Sequence, residues 1–298
     1  MMQSHIGEIA ALITAICWAL NGIAFESAGK KIGSLSLSYI RLYIAFILLC
    51  ITAYFMRGIA LPLDADLNNW IWLSLSGIIG FVLGDIFLFQ AYIEIGSRIS
   101  LLIMSAAPPL TALISFFILG ERISALGLLG IFITMIGIGL VILSKNQGGS
   151  KVEFNRPVKG LIYASIGALG QALGLIFSKK GMGTYDPLAA TQIRIIAAGI
   201  VLTLLITKNK KWPEILESMK NKSAMPALVA GSVFGPFVGV AFSLLAVKYT
   251  ATGIVSSISS ISPILVIPAS IYIFKEKVTP KEILGAVVSI AGVILLFL

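Results

Sequence analysis

The chain is predicted to be an all-α polytopic membrane protein, ten transmembrane helices arranged as two inverted five-helix repeats. Three observations predict this. Of 298 residues, 58% are hydrophobic and only 12% charged, with a mean hydropathy of +1.00, whereas soluble domains carry roughly 25% charge. The apolar residues fall in long blocks such as 6–25, 99–119 and 126–143, each near the ~20 residues that cross a hydrocarbon core of roughly 30 Å. The second half of the chain also repeats the first at a nearly fixed offset. Inside lipid no water satisfies backbone groups, so such blocks must be helical.

The spans are expected at about 6–28, 37–56, 70–92, 99–119, 125–144, 158–178, 187–207, 224–247, 251–274 and 281–298. The first block is long for a signal peptide and follows no basic leader, so it is expected to be the first span. Residues 145–159 are polar and contain Gly148, Gly149 and Pro157. They separate a first repeat, 1–147, from a second, 158–298. After the seventh span, Trp212, Ile215, Leu216 and Met219 recur at helical spacing among lysines, which predicts a short helix lying in the membrane interface.

The repeat is read from special residues. Gly80, Gly84, Pro108, Glu121, Gly130 and Gly137 recur as Gly235, Gly239, Pro263, Glu276, Gly285 and Gly292, each 155 positions on (263 − 108 = 155). Gly7 and Arg41 recur as Gly160 and Arg194, 153 positions on (194 − 41 = 153). Each half holds five spans, an odd number, so the second copy enters the membrane upside down. Loop charge agrees. The loop 57–69 holds Arg57 against Asp64 and Asp66, while its counterpart 208–222 holds Lys208, Lys210, Lys211, Lys220 and Lys222 against Glu214 and Glu217. Basic loops stay cytoplasmic, which places both termini outside and the protein in the cytoplasmic (inner) membrane. The net charge of +9 is mostly this topological signal and implies no nucleic-acid partner.

Inverted repeats build alternating-access carriers, with the substrate held near the midplane where the repeats meet. No phosphate-binding loop of the G-x-x-x-x-G-K-[S/T] kind occurs, nor an H-E-x-x-H pair. His5 is the single histidine, and Cys17 and Cys50 both fall in apolar blocks. No metal site, cofactor or catalytic group is expected, so the chain does not read as an enzyme. With no loop longer than about 15 residues, a scaffold or receptor is a poor fit.

Certain motifs carry a resemblance. Trp18-Ala-Leu-Asn21-Gly in the first span, Arg41 early in the second, and Leu119-Gly120-Glu121-Arg122 before Gly130 and Gly137 resemble the EamA-type branch of the drug/metabolite transporter superfamily. Phe274-Lys275-Glu276-Lys277 before Gly285 and Gly292 holds the matching places in the second half. The resemblance implies ten helices, a cavity between the halves, and export of small metabolites such as amino acids, often against proton entry. The tryptophan motif is not kept in the second half, where Gln171 stands at the Trp18 position (18 + 153 = 171).

Asp85 is the most informative position. Its counterpart is Val240 (85 + 155 = 240), so the architecture does not demand a carboxylate there. An intramembrane carboxylate faces a cavity or a partner. Asp85 is the expected proton-coupling group or counter-ion to an ammonium, unless it is paired with Arg41. Phe81 shares its helical face. Trp18, Asn21, Phe81, Asp85, Gln171, Ser256, Ser259 and Ser260 are the expected substrate-binding residues, with Phe234 and Phe237 as further aromatic wall. Pro108, Pro109 and Pro263 fall near span centres, where proline removes a backbone hydrogen bond, and are expected to kink or hinge. The intramembrane cations Arg41 and Arg194 lie about one turn inside their spans, where they would snorkel to the interface or contact substrate. The glycines 80, 84, 170, 174, 231, 235 and 239 are expected to form close-packing ridges. The reading is a proton-linked or facilitative exporter of a small amphipathic metabolite, complete in one subunit. An importer or a multidrug efflux pump of the same build is the alternative.

Overall fold

The computed structural model describes residues 5–119, 124–142, 157–249, 255, 258–275 and 278–296, and among these residues there are helices and no strand. The longest helix, Ile6–Arg57, has 52 residues. Straight, it would reach about 78 Å, more than twice a bilayer core. It does not run straight. Gly33 at φ 77°, ψ 162° breaks it, a backbone conformation glycine tolerates without penalty. In a straight helix Phe25 and Arg41 would lie about 24 Å apart, yet the Arg41 guanidinium is 5.8 Å from the Phe25 ring. The chain therefore doubles back, and its two limbs are spans one and two. Gly96, at φ 81°, ψ 159°, performs the same reversal within Asp85–Met104. It separates span three (Leu67–Gly77, Ile78–Gly84 and the first limb of Asp85–Met104) from span four. Span five is Ala125–Ile142, span six Val158–Met182, span seven Pro187–Lys208, and span ten Pro280–Leu296. Span eight comprises Met225–Ser232, Val233–Gly239 and Val240–Tyr249. The second part of span nine is Ser262–Tyr272.

Two irregularities repeat with the sequence. Ile78–Gly84 and Val233–Gly239 are π-helical, 155 positions apart (233 − 78 = 155). Spans four and nine are each interrupted by a turn, at Ser105–Ala106 and at Ser260–Ile261. The expected mid-span kink is thus a full break. Pro108 and Pro109 lie in the first turn of Ala107–Leu119, and Pro263 in that of Ser262–Tyr272, where a missing N–H costs nothing. The Ser259 carbonyl, next to this break, accepts the Ser262 hydroxyl at 2.7 Å. A side chain replaces the lost backbone bond, as intramembrane breaks require.

The first half of span one packs by its small residues and turns large ones outward. On span one Ala10, Ala11, Thr14 and Cys17 are buried, while Ile9, Leu12, Ile16 and Leu20 are exposed, an arrangement suited to lipid, where small side chains let backbones approach. Spans five and ten meet backbone to backbone. A Cβ on Gly137 would fall 2.6 Å from the Gly285 carbonyl oxygen, and one on Gly292 would fall 2.7 Å from that of Gly130. Between them the Thr134 hydroxyl donates to the Ser289 carbonyl at 3.4 Å and the Ser289 hydroxyl to that of Thr134 at 3.2 Å. Thr134 and Ser289 are themselves 155 positions apart, so this is the reciprocal contact of an isologous, twofold interface. Position numbers rise along one helix as they fall along the other, so the two helices are antiparallel. Repeats related this way are inverted.

The glycine ridges close-pack as expected. A Cβ on Gly170 would lie 2.6 Å from Gly84 Cα, and one on Gly174 would lie 3.2 Å from Gly80 Cα, which seats span three on span six. Gly235 and Gly239 face Asn21 and Trp18, which seats span eight on span one. The short helix Trp212–Lys220 packs on the start of span two, with Ile215 buried, Leu216 and Met219 exposed, and the Ser218 hydroxyl 3.0 Å from that of Ser36. Arg57 ends span two, about 30 Å further along the helix, bound to Asp64 at 2.5 Å. The lysine-rich segment and the Arg57 loop therefore sit at opposite ends of the bundle.

Candidate functional site: a charged cavity between the repeats

The broken helices of spans four and nine, the π-helical stretches of three and eight, and spans one, two, six and seven enclose a cavity of about 160 Å³. Its charged floor is built from both halves. Arg41 is ion-paired with Asp85, and the Gln171 amide donates to the other Asp85 oxygen at 2.7 Å. Arg41 and Asp85 are 2% and 5% exposed. The Arg41 guanidinium also lies 4.7 Å from the Phe89 ring and 5.6 Å from that of Phe81. Arg194 approaches the Phe81 ring at 4.4 Å. Phe81 thus has both cations within cation–π reach of its ring.

This corrects one expectation. Arg41 and Arg194 do not snorkel to the interface; both side chains turn inward and are buried. The span-two and span-seven faces that carry them are turned to the centre by helix packing, which a position count from the span ends cannot reveal. Asp85 takes the alternative named for it, the pair with Arg41. Both of its oxygens are engaged, one by Arg41 and one by Gln171.

Of the other residues singled out in the sequence, Trp18, Asn21, Phe81, Asp85, Gln171, Ser259 and Ser260 line the cavity together with Pro108 and Pro263. Pro109 is buried beside it without lining it. Ser256 lies outside the described residues. The aromatic lining is Trp18, Phe81, Phe89 and Tyr92; Phe234 and Phe237 do not contribute. Phe237 instead packs, partly buried, against the apolar cluster that contains Phe81 and Leu202. Among the described residues the Asn21 Oδ1, Ser105 Oγ and Ser259 Oγ atoms are buried without a hydrogen-bond partner, so the cavity offers polar groups to a guest.

The ends of the bundle differ. The lining reaches Val247 and Val255 toward the Arg57 end. At the opposite end a buried ion pair joins Arg98 of span four to Glu282 of span ten at 2.6 Å. Beside it Glu26, fully buried, accepts the Ser97 N–H at 2.6 Å and the Lys30 ammonium at 2.6 Å. Sequence reasoning passed over all three. Glu26 falls within the first expected span, 6–28, a signal that was present, whereas Arg98 and Glu282 looked like ordinary loop-end charges.

Inverted bundles around a buried, charged, part-apolar cavity define a multi-pass membrane transporter. The chain belongs to the EamA-like transporter family, whose profile matches residues 5–143 and 158–298. It is similar over 97% of its length to an uncharacterized transporter of Archaeoglobus fulgidus, at 24% identity and covering 96% of that protein. It is similar over 97% of its length to one of Clostridium kluyveri, at 23% identity and 92% coverage. A shorter match, 25% identical over 41% of this chain and 37% of the relative, joins it to the inner membrane transporter YhbE of Escherichia coli. One solved protein chain shares the fold at a TM-score of 0.65 and 17% identity, covering 99% of this chain and 96% of that one.

Proposed function

We propose that the protein is an alternating-access carrier that exports small amphipathic metabolites, amino acids or close relatives, across the cytoplasmic membrane. The observation that carries this reading is the cavity between the repeats. It has charges at its floor, aromatic rings and serines on its walls, and a lining that reaches one end of the bundle while buried ion pairs hold the other. The breaks at Ser105–Ala106 and Ser260–Ile261 give spans four and nine hinge points, with Pro108 and Pro263 bounding them, at which the repeats can rock. The name of the Escherichia coli relative supports the inner membrane as location.

Asp85 is the coupling residue in this reading. A proton arriving there would cancel the charge that holds Arg41, and so link a proton's passage to a change in how spans two and three pack. Purified protein in liposomes tests the proposal through uptake of radiolabelled amino acids with and without an imposed pH gradient. Gradient-driven flux that is lost in Asp85→Asn supports coupling. Full gradient-driven flux in that variant removes the coupling role, and no flux of any metabolite in a broad panel removes the carrier reading.

A further inference from the structure

The cavity contains two guanidiniums and one carboxylate, and the carboxylate is taken. Arg41 and Gln171 between them engage both oxygens of Asp85. That leaves Arg194. It is 5% exposed and lines the cavity, and among the described residues its Nε has no partner and no hydrogen bond or ion pair reaches its guanidinium. The Phe81 ring at 4.4 Å offers a favourable face but no acceptor for the five donors of an arginine. A buried cation in that condition has no counter-charge in contact. Asp85 attracts it across space, but that carboxylate is already engaged by Arg41 and Gln171, so compensation is incomplete.

A second feature points the same way. The helices Ala107–Leu119 and Ser262–Tyr272 both begin at the cavity, with Ala107, Pro108, Ser262 and Pro263 among its lining. Helix N-termini carry partial positive charge, and half-helix N-termini at mid-depth are placed to receive anionic groups of a substrate. Two such ends and an unpaired guanidinium make the cavity electropositive, with Asp85 as the acid lining it among the described residues.

We propose that the substrate is recognised through a carboxylate seated on Arg194. The proposal rests on the carrier reading above for its biological use and specifies the charge that the site selects. Asn21 Oδ1 and the Ser105 and Ser259 hydroxyls then receive the polar remainder, an ammonium included, so a zwitterionic amino acid fits. A purely cationic amine does not, because it would meet a site already carrying an excess positive charge.

The test is thermal unfolding of the detergent-purified full chain with matched carbon skeletons in acid, amide and amine form. One series is leucine, 4-methylpentanoate, leucinamide and isopentylamine; parallel series run from acetate to indole-3-acetate in size. The acids and amino acids are expected to raise Tm at millimolar concentration, and the amides and amines are not. Arg194→Gln is expected to weaken acid binding by roughly tenfold or more, the loss of a charged hydrogen bond, while Arg194→Lys keeps part of it. Val240→Asp, which adds a carboxylate where the repeat lacks one, is expected to abolish acid binding, and Arg57→Gln to leave it unchanged. The proposal is overturned if no acid form stabilises the protein, if the amines stabilise it as well as the acids, or if Arg194→Gln binds acids undiminished. Liposome flux separates the two readings. Acids that bind without crossing would sink the carrier and keep the anion site; amines that cross while acids neither bind nor cross would do the reverse.

Discussion

Arg41 and Arg194 occupy the same place in the two repeats and live in opposite electrostatic conditions. Arg41 has Asp85 in contact; Arg194 finds Val240 at the corresponding position, and among the described residues no ion pair reaches it, Asp85 attracting it only across space. Gln171, which completes the Asp85 cluster, is replaced in the other copy by Trp18. Duplication placed an arginine at the same position of each repeat in one shared cavity. The differences between Asp85 and Val240 and between Gln171 and Trp18 put one arginine in a salt bridge and left the other without one. The scaffold is symmetric because packing is set by glycine backbones. The site is asymmetric because a few side chains at the centre are not needed for packing at all.

Breaking the paired side should have the largest effect. Asp85→Val leaves Arg41 buried and alone, which costs about 3–5 kcal/mol and should appear as a large fall in Tm in detergent. Adding Arg41→Leu removes the stranded charge, and the double variant is expected to recover most of the loss. If the double variant is no better than the single, the pair is not the source of the cost.

The glycine seams offer the next contrast. A Cβ at Gly170 meets backbone, Gly84 Cα at 2.6 Å, while one at Gly235 meets the Asn21 amide nitrogen at 2.6 Å, the movable end of a side chain. Gly170→Ala is expected to destabilise by about 1–3 kcal/mol, and Gly235→Ala by clearly less. Equal losses would show that the two seams are equally rigid. At the twofold contact of spans five and ten, Thr134→Val and Ser289→Ala should each cost about 0.6 kcal/mol, the average for intramembrane hydrogen bonds, and should cost nearly the same because the contact is reciprocal. A twofold disparity in chemical denaturation would argue against that symmetry.

The smallest effect lies outside the membrane, in the loop cluster at the Arg57 end. Loss of solvent opposes ionisation of Asp64, but hydrogen bonds from Tyr185 at 2.8 Å and Arg57 at 2.5 Å outweigh it and hold its carboxyl below the ordinary 3.8. Its contribution is therefore present above that value and is lost as pH falls through the lower, folded-state one. Burial and then the bond to Asp64 push the Tyr185 phenol up to about 12. That contribution is complete below pH 10 and fades as pH rises toward 12. Tyr185→Phe should flatten the alkaline limb of a Tm-against-pH curve while leaving the neutral Tm nearly unchanged; an unaltered limb would count against the assignment.

Much of this was legible in the chain. The spans, the 155-residue repeat and the glycine seams all follow from hydropathy and spacing, because lipid imposes helices and close helix contact demands small residues. Asp85 was legible as an exception, a charge that the scaffold did not require. Less was legible where one helix turns inward. The Gly33 and Gly96 reversals looked like loops, the prolines like kinks inside a helix rather than starts of new ones, and the arginines like anchors at the interface.

What the sequence determined by itself is the membrane, the count of spans and the inverted duplication, since each depends on local composition or on comparison of the chain with itself. Tertiary structure alone decided who meets whom: that Asp85 is held by Arg41 and Gln171 from two other helices, that among the described residues Arg194 meets the Phe81 ring and no ion pair or hydrogen bond, and that Arg98 joins Glu282 across the repeats. Those outcomes depend on the rotation of each helix about its own axis. That rotation is set by the mutual fit of glycine seams distributed over the whole bundle, and no single segment carries it.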